Sequence, residues 1–324
     1  MKRSLSGIKP TGSPHLGNYF GMMRRAIDMQ KSFDTAYFIA NYHALTTARD
    51  PDKLREDTLE IAAIFIAAGY DTDRGILYRQ ADVPQVTELT SILANYVSMG
   101  DLMRAHAYKA AKDQGNEGTL NAGVFMYPVL MAADILIHDA DVVPVGRDQV
   151  QHLEMARAIA GRFNHYHGNV LKEPQEHVDD RVAVVPGIDG RKMSKSYGNG
   201  IEPFGTTDKA LKQQVMAIVS DSKGVEEPKD PDTSNIVAIY KLFATDAELA
   251  DMQAKYRAGG YGYGHAKVAL LDKIHEHFDP MRKRYLELMN DRAQLEKILQ
   301  AGAAKASARA DAVLKRTRRA CGLE

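Results

Sequence analysis

Short apolar runs alternate with longer amphipathic stretches up to about residue 190, and no other feature of the sequence restricts the fold as strongly. The apolar runs predict strands at residues 3–8, 35–41, 74–79, 141–145 and 182–186. The amphipathic stretches predict helices at residues 18–31, 52–68, 86–96, 101–111, 123–137 and 148–164. Because strands and helices alternate and the strands are apolar, we expect a parallel sheet with helices on both faces.

After residue 197 the sequence shows only the spacing of helices. The predicted helices are residues 210–220, 234–243, 246–256, 265–277, 280–289 and about 292–319. A chain of 324 residues is long enough for two domains. The sequence therefore predicts an α/β fold, with a Rossmann-type five-stranded parallel sheet in residues 1–200 and an all-helical domain in residues 201–324.

Charge and cysteine content exclude few classes of function. The 42 basic and 42 acidic residues balance, so the net charge neither requires nor excludes a nucleic-acid partner. The one cysteine, Cys321, rules out an intramolecular disulfide, as expected of a cytoplasmic protein. The first residues do not have the pattern of a secretory signal, and no run of 18 apolar residues occurs, so we expect no membrane span.

The first predicted strand leads into a loop, residues 9–18, that reads KPTGSPHLGN. Two prolines and a glycine predict a fixed turn, and Gly17 leaves room for a base or sugar to approach the backbone. His15 and Asn18 are three positions apart at the start of a helix, so their donors share a face at which phosphate oxygens can bind. An ordinary strand-to-helix turn capped by a histidine is the alternative.

A second loop carries KMSKS at residues 192–196, after the glycine-containing turn 187–190. Lys192 and Lys195 can hold several phosphate oxygens there, and can bind more strongly as a leaving pyrophosphate gains charge. A solvated loop of lysine and serine is the alternative. Used together, the two distant loops predict an enzyme that binds ATP and breaks it at the α-phosphate.

These segments resemble the signatures of the bacterial tryptophanyl-tRNA synthetases, which belong to the class I aminoacyl-tRNA synthetases. PHLGN at residues 14–18 is similar to a variant of the family's HIGH signature, and KMSKS to its second signature. Residues 127–136 (YPVLMAADIL) and 143–149 (VPVGRDQ) also match the family pattern. The resemblance implies a sheet of strand order 3-2-1-4-5, a helical anticodon-binding domain and a homodimer.

The activity implied by the resemblance is that of a tryptophan–tRNA ligase. The carboxylate of L-tryptophan would attack the α-phosphate of Mg²⁺-bound ATP, giving tryptophanyl-adenylate and pyrophosphate. Tryptophan would then pass to the terminal ribose of tRNA(Trp). A tyrosyl-type synthetase, a simpler nucleotidyltransferase and a non-catalytic tRNA-binding relative are the alternatives.

The resemblance also assigns roles to individual residues. Those expected to act in the reaction are His15, Asn18, Lys192, Lys195 and Ser196. Those expected to bind ATP are Lys9, Pro10, Thr11, Gly17, Asn18, Gly146, Arg147, Asp148, Val182, Lys192, Met193, Ser194, Lys195 and Ser196. Those expected to bind tryptophan are Leu5, His43, Tyr127, Met131, Asp134, Val143, Val145 and Gln149. Either Lys109 or Lys112 is expected to contact phosphate as well.

Asp134 is the residue for which side-chain chemistry gives independent support. A carboxylate inside an apolar helix is costly unless it is paired, and an indole N–H is a donor that can pair with it. An aspartate satisfied by the backbone is the alternative. Leu5 stands where some members of the family have an aromatic ring, and Lys9 where glutamine is common. The histidines at spacing i, i+2 diverge on a helix, so we expect no resident metal site.

Overall fold

A five-stranded parallel sheet forms the centre of the first half of the chain. The computed structural model describes residues 1–105, 108–109, 112, 120–144, 150–177 and 184–324. Its strands are β1 (Arg3–Ile8), β2 (Asp34–Ile39), β3 (Ile76–Arg79), β4 (Val142–Pro144) and β5 (Gln175–His177). They run in the order β3-β2-β1-β4-β5, and every pairing is parallel. The predicted fold class and strand order are confirmed.

Within the predicted fifth strand, the described residues 184–186 do not belong to the sheet, and residues 182–183 lie outside the described part of the chain. The fifth strand is β5, which pairs with β4 through the polar sequence Gln-Glu-His. An edge strand at the surface needs no apolar run, so the hydrophobic pattern does not indicate it. In the apolar run itself, Val185 packs in the core below the second loop, and Pro186 forms an antiparallel bridge with Lys192.

The helices of the first half lie between the strands as predicted, with shifted ends. Their bounds are Leu16–Asn18, Arg24–Met29, Asn41–Ala44, Pro51–Ala67, Gln85–Leu93, Met99–Met103, Ala122–Leu136 and Val150–His167. A π-helical turn, Tyr19–Met23, connects the first two, so the helix predicted at 18–31 starts earlier and changes its hydrogen bonding on the way. Parts of the helices predicted at 101–111 and 148–164 lie outside the described residues.

The second half is helical, as predicted. Its helices are Asp208–Met216, Asn235–Tyr240, Asp246–Ala258, Tyr263–Asn290 and Arg292–Ala320. Pro280 lies inside the fourth of these and does not end it. A proline within a helix costs about 3 kcal/mol. Ile274, Phe278 and Leu288 are fully buried on either side, each worth about 1.5–3 kcal/mol, so core packing outweighs the lost hydrogen bond.

The helix Arg292–Ala320, here named the closing helix, packs against the edge strand β3. Its Gly302 approaches the backbone of Leu77 so closely that a Cβ at this position would overlap the Leu77 carbonyl. Arg309 donates to both carboxylate oxygens of Asp34, the first residue of β2, at 2.8 Å. The closing helix therefore covers part of the sheet built from the first half of the chain. Within the described residues, no helix has the length and apolar character needed to cross a membrane.

Candidate active site

The described residues of the predicted site, together with Gln80, gather at the carboxyl ends of the strands. The first loop (residues 9–18) follows β1, His43 follows β2, Gln80 follows β3, and the Asp134 helix (Ala122–Leu136) precedes β4. Parallel strands end at one edge of a sheet, and ligands of open α/β sheets bind there. The edge thus brings together side chains that are far apart in the sequence.

His15 and Asn18 bond to each other in the first loop. The Asn18 N–H donates to Nδ1 of His15 at 3.1 Å, and the His15 N–H donates to Oδ1 of Asn18 at 3.2 Å. This reciprocal cap fixes both side chains at the start of the helix. The structure therefore contains the capping histidine that the sequence offered as an alternative. The side-chain nitrogens of His15 and Asn18 that take no part in the cap can still bind a ligand.

The cap determines which atoms of His15 and Asn18 face a ligand. Burial, followed by the nearby Lys195 cation, lowers the pKa of His15 to about 4, so the ring is neutral at pH 7. Its Nδ1 accepts from the backbone, so Nε2 carries the proton and is the ring's remaining donor. The cap uses Oδ1 of Asn18, so its Nδ2 is likewise available as a donor. Two neutral donors thus project from a fixed turn.

The two loops are in direct contact. The Gly17 N–H donates to Sδ of Met193 at 3.4 Å. A Cβ on Gly17 would lie 3.0 Å from the His15 ring and 3.4 Å from Cβ of Met193, so a side chain here would push the loops apart. The Leu16 N–H also donates to the Ile201 carbonyl at 2.9 Å. The two loops, which are separated in the sequence by residues 19–191, are thus bridged at the first helical turn.

The second loop is held from inside by Asn199, which is buried. Its Oδ1 accepts from the Ser194 N–H at 2.8 Å, and its Nδ2 donates to Oδ1 of Asp189 at 2.7 Å and to the Lys192 carbonyl at 3.2 Å. Asn199, which follows the KMSKS segment, is therefore tied to the first and third residues of that segment and to the turn before it. Lys192, Lys195 and Ser196 of the segment are exposed.

Lys195 reaches from the second loop to the first. Its Nζ donates to the carbonyl oxygens of Thr11 at 2.8 Å and Gly12 at 2.7 Å. Desolvation lowers the pKa of Lys195, and the carboxylates of Glu202, Glu60 and Asp57 oppose that shift, in this order. The ammonium group is thus placed above the turn that the sequence predicts to bind phosphate.

Most of the residues predicted to bind tryptophan line one cavity of about 270 Å³. They are Leu5, His43, Tyr127, Met131, Asp134 and Val143, together with Lys9. Lys9 turns its Nζ toward Oγ1 of Thr46, at 3.0 Å, and burial lowers the pKa of its ammonium. The walls of the cavity are largely apolar, and among the described residues that line it Asp134 supplies the one carboxylate.

Asp134 is 2 % exposed and accepts hydrogen bonds from two side chains. Nε2 of His43 lies 2.9 Å from Oδ2, and Nε2 of Gln80 donates to Oδ1 at 2.8 Å and to Oδ2 at 2.9 Å. Burial raises the pKa of Asp134, while the hydrogen bonds from His43 and Gln80 favour the ionised form and oppose that rise. Asp134 is therefore paired by side chains rather than by the backbone.

Several predicted residues lie outside the described part of the chain: Val145, Gly146, Arg147, Asp148, Gln149 and Val182. Lys109 and Lys112 are both exposed, and their positions do not single out either as a phosphate contact. Among the described residues, no group of three or more His, Cys, Asp and Glu side chains could hold a metal ion.

Gln80 and Asn199 are absent from the predicted site, although each bonds to residues in it. A single buried glutamine or asparagine belongs to no periodic pattern, so the hydrophobic spacing does not indicate it. For Asn199, proximity to KMSKS was the available signal, and for Gln80 it was a polar residue directly after an apolar strand. Both signals are weak without the three-dimensional contacts.

Comparisons with known proteins agree with this geometry. The sequence model of the family described as "tRNA synthetases class I (W and Y)" matches residues 2–279. The chain is 48 % identical over 321 residues to a tryptophan–tRNA ligase of Rhodopirellula baltica, covering 99 % of each chain. It is 47 % identical over 324 residues to that of Fusobacterium nucleatum, covering 100 % of this chain and 98 % of the relative. Among solved structures, tryptophanyl-tRNA synthetase from Campylobacter jejuni complexed with ADP and tryptophan is similar, with a TM-score of 0.93 and 42 % identity over 99 % of both chains.

Proposed function

This chain belongs to the class I tRNA synthetases of the tryptophan and tyrosine family, and we propose that it acts as a tryptophan–tRNA ligase through the two loops and the cavity at the sheet edge. The observation that carries the choice of amino acid is Asp134, a buried carboxylate on the wall of a largely apolar cavity. An indole ring fills such a cavity with apolar surface and supplies one N–H donor for the carboxylate.

ATP binds across the two loops. His15 and Asn18 each direct a neutral donor from the first loop, and Lys195 adds a cation from the second. The relative from Campylobacter jejuni, similar over almost its whole length, is a complex with ADP and tryptophan, which supports a nucleotide and an amino acid bound side by side. The ATP contacts predicted for Gly146, Arg147 and Asp148 complete this proposal.

In the first step, an oxygen of the tryptophan carboxylate forms a bond to the α-phosphorus of ATP, and the bond to the bridging oxygen breaks. The products are tryptophanyl-adenylate and pyrophosphate, which leaves with the electron pair. The protein supplies no covalent intermediate; it positions the two substrates and stabilises the charge that grows on the phosphates. Lys195 and Lys192 fit this role, since a cation on a loop can follow the departing pyrophosphate.

In the second step, a ribose hydroxyl at the 3′ end of tRNA(Trp) attacks the carbonyl of the adenylate, and AMP leaves. Mg²⁺ enters with ATP as part of the substrate: the donors of the two loops are amines, an amide and an imidazole, and Mg²⁺ in such sites is held largely by phosphate and water. We further propose a cytoplasmic homodimer with residues 201–324 as the anticodon-binding domain. The resemblance to the tryptophanyl-tRNA synthetases implies the dimer and the domain, and the single cysteine agrees with a cytoplasmic protein.

ATP–pyrophosphate exchange, measured with each of the twenty amino acids, tests this function. We expect tryptophan to support exchange and the other nineteen to give the rate without amino acid. Exchange with tyrosine would assign the chain to the other branch of the family. Failure of all twenty, in protein that unfolds cooperatively, would identify a non-catalytic relative that binds tRNA.

A further inference from the structure

The side chain of Gln80 is 1 % exposed and has no role in the chemistry described so far. It lies directly after β3, in a short 3₁₀ turn. Its Oε1 accepts from the backbone N–H of Tyr42 at 3.0 Å, and its Nε2 donates to both oxygens of Asp134. Gln80 therefore connects the ends of β2 and β3 to the carboxylate of the cavity.

These contacts fix the orientation of the Gln80 amide. The Tyr42 N–H can only donate, so it must face the amide oxygen of Gln80. The NH₂ group must then face Asp134, and an ionised carboxylate, which can only accept, matches it. If the amide were flipped, its NH₂ group would face the Tyr42 N–H and its oxygen would face the carboxylate of Asp134. Neither contact could form a hydrogen bond, and burial makes such unpaired polar groups costly.

The same contacts leave the two oxygens of Asp134 unequal. Oδ2 accepts from both His43 and Gln80, whereas Oδ1 accepts from Gln80 alone. A carboxylate oxygen offers about two lone-pair positions, so Oδ1 keeps one for a further donor. Since Asp134 lines the cavity, a ligand bound there can supply that donor.

We propose that Gln80 is a positioning residue that holds Asp134 with Oδ1 available, and so sets the preference of the cavity for a ring carrying an N–H over a ring of the same shape without one. This inference rests on the proposed function, because it takes tryptophan as the ligand. Gln80 itself does not touch the ligand; it acts through Asp134.

The selection of a ring N–H also depends on the charge of Asp134. A protonated carboxyl is a donor and loses one acceptor position, so selection of an N–H needs the ionised form. The titratable and charged groups that face this carboxylate are His43 after β2, Tyr78 on β3, Tyr127 on its own helix, and Lys9 across the cavity. His152, from the helix Val150–His167, packs against the ring of Tyr127.

The Gln80 hydrogen bond favours the ionised carboxylate and holds the pKa of Asp134 down against burial. Its removal raises that pKa. Tryptophan binding needs the charge, so kcat/KM falls as the pH drops through the pKa of Asp134, and in a variant without the bond this fall begins at a higher pH.

The test is Gln80→Met, which keeps the length and removes the hydrogen bonds of the amide to Tyr42 and Asp134. In ATP–pyrophosphate exchange we expect the KM for tryptophan to rise about tenfold, as for loss of a hydrogen bond to a charged group, with kcat changed less than about twofold. The preference for tryptophan over 3-(benzothiophen-3-yl)alanine, in which sulfur replaces the ring N–H, should fall by a similar factor. In the pH profile of kcat/KM, the fall on the acid side (the acid limb) should move to higher pH.

Gln30→Met is the matched control. Gln30 is also buried and uses its amide in the same way, donating to the Asp71 carbonyl at 2.8 Å and accepting from the Asp71 N–H at 2.9 Å. It lies before β2, at the opposite edge of the sheet. We expect Gln30→Met to lower the unfolding temperature without changing KM, ring selectivity or the acid limb.

Gln80→Glu keeps the shape of the side chain and the acceptor for Tyr42 but places a second carboxyl group against Asp134. It should therefore move the acid limb of kcat/KM to a still higher pH. This variant tests the inference if Gln80→Met does not fold. Unchanged KM, selectivity and acid limb in a folded Gln80 variant would overturn the inference while leaving the proposed function intact. Equal effects of Gln80→Met and Gln30→Met would also overturn it. If the unsubstituted chain shows no exchange with tryptophan, the proposed function itself has failed.

Discussion

Lys195 joins the two loops through the carbonyl oxygens of Thr11 and Gly12. A lysine that bonds to backbone carbonyls keeps its charge and can exchange those neutral acceptors for phosphate oxygens, which bind it more strongly. The carboxylates that raise its pKa against desolvation belong to Glu202, Glu60 and Asp57, which lie outside the loops. The contacts therefore place the cation without neutralising it.

We expect Lys195→Ala to lower the rate of tryptophan-dependent ATP–pyrophosphate exchange by about 100-fold or more, the effect of removing one group that stabilises transition-state charge. The KM for tryptophan should change less than about twofold, because the cavity around Asp134 does not involve Lys195. Exchange kinetics measure both. Lys212→Ala, at an exposed lysine of the helix Asp208–Met216, is the control. An exchange rate equal to that of the unsubstituted chain would remove Lys195 from the chemistry.

Single site residues differ in how far the sequence predicts them. His43 follows the end of β2, and Val143 lies in β4. A parallel sheet places both at one edge before any coordinates are known. Asp134 stands out because a charge in an apolar helix needs a partner. Gln80 depends on an N–H of Tyr42 and a carboxylate 54 positions away, and no local pattern encodes that pair of contacts. The catalytic and binding roles of the predicted residues stay predictions for the experiments above.

The second loop is an element whose shape depends on one side chain. Asn199 bonds to Ser194, Asp189 and Lys192, and thereby fixes the path of the backbone on both sides of the KMSKS segment. Gly187 fits against Asn199 so closely that a Cβ there would overlap its side chain. The loop is thus ordered at its base, while its lysines stay exposed.

We expect Asn199→Ala to raise the KM for ATP and to lower kcat of exchange by about tenfold or more, because Lys192 and Lys195 lose their support. The unsatisfied backbone groups should also cost about 1–3 kcal/mol of stability. Asn164→Ala is the control, since Asn164 holds a turn in the same way, bonding to Val170 and Leu171 away from the loops. Equal kinetics in the two variants would show that Asn199 acts only on stability.

The elements themselves are predictable where a periodic pattern decides them. The strand β1 and the helix Pro51–Ala67 lie where apolar spacing puts them. β5 is missed because a short polar edge strand has no apolar pattern, and the helix Tyr263–Asn290 is divided at Pro280 because a local rule ignores the burial of Phe278. Both errors arise where tertiary packing overrides a local preference.

At the scale of the whole molecule, the closing helix connects the two halves of the chain. It packs against β3 through Gly302 and pairs Arg309 with Asp34, Arg316 with Asp139 and Arg318 with Glu88. Apolar contact and charge thus act together along one helix. The unfolding of the sheet and of this helix should therefore be coupled.

We expect Gly302→Ala to lower stability by about 1–3 kcal/mol, since the added methyl overlaps the Leu77 carbonyl, a backbone atom that cannot turn aside. Thermal unfolding measured by circular dichroism checks this. Gly264→Ala is the control, because a Cβ at Gly264 meets no atom within 4 Å and a helical alanine is favourable. Equal unfolding temperatures for the two variants would contradict the close approach of the helix to β3.

The position of the closing helix has a consequence for the nascent chain during synthesis. β3 leaves the ribosome about 240 residues before the end of that helix, which at roughly 5–20 residues per second is a delay of about 12–50 seconds. Throughout this interval the outer strand of the sheet lacks its cover, and uncovered strand edges pair readily with other chains. The nucleotide-binding half therefore completes its folding only after the last helix has been synthesised, and its yield in the cell depends on what shields β3 until then.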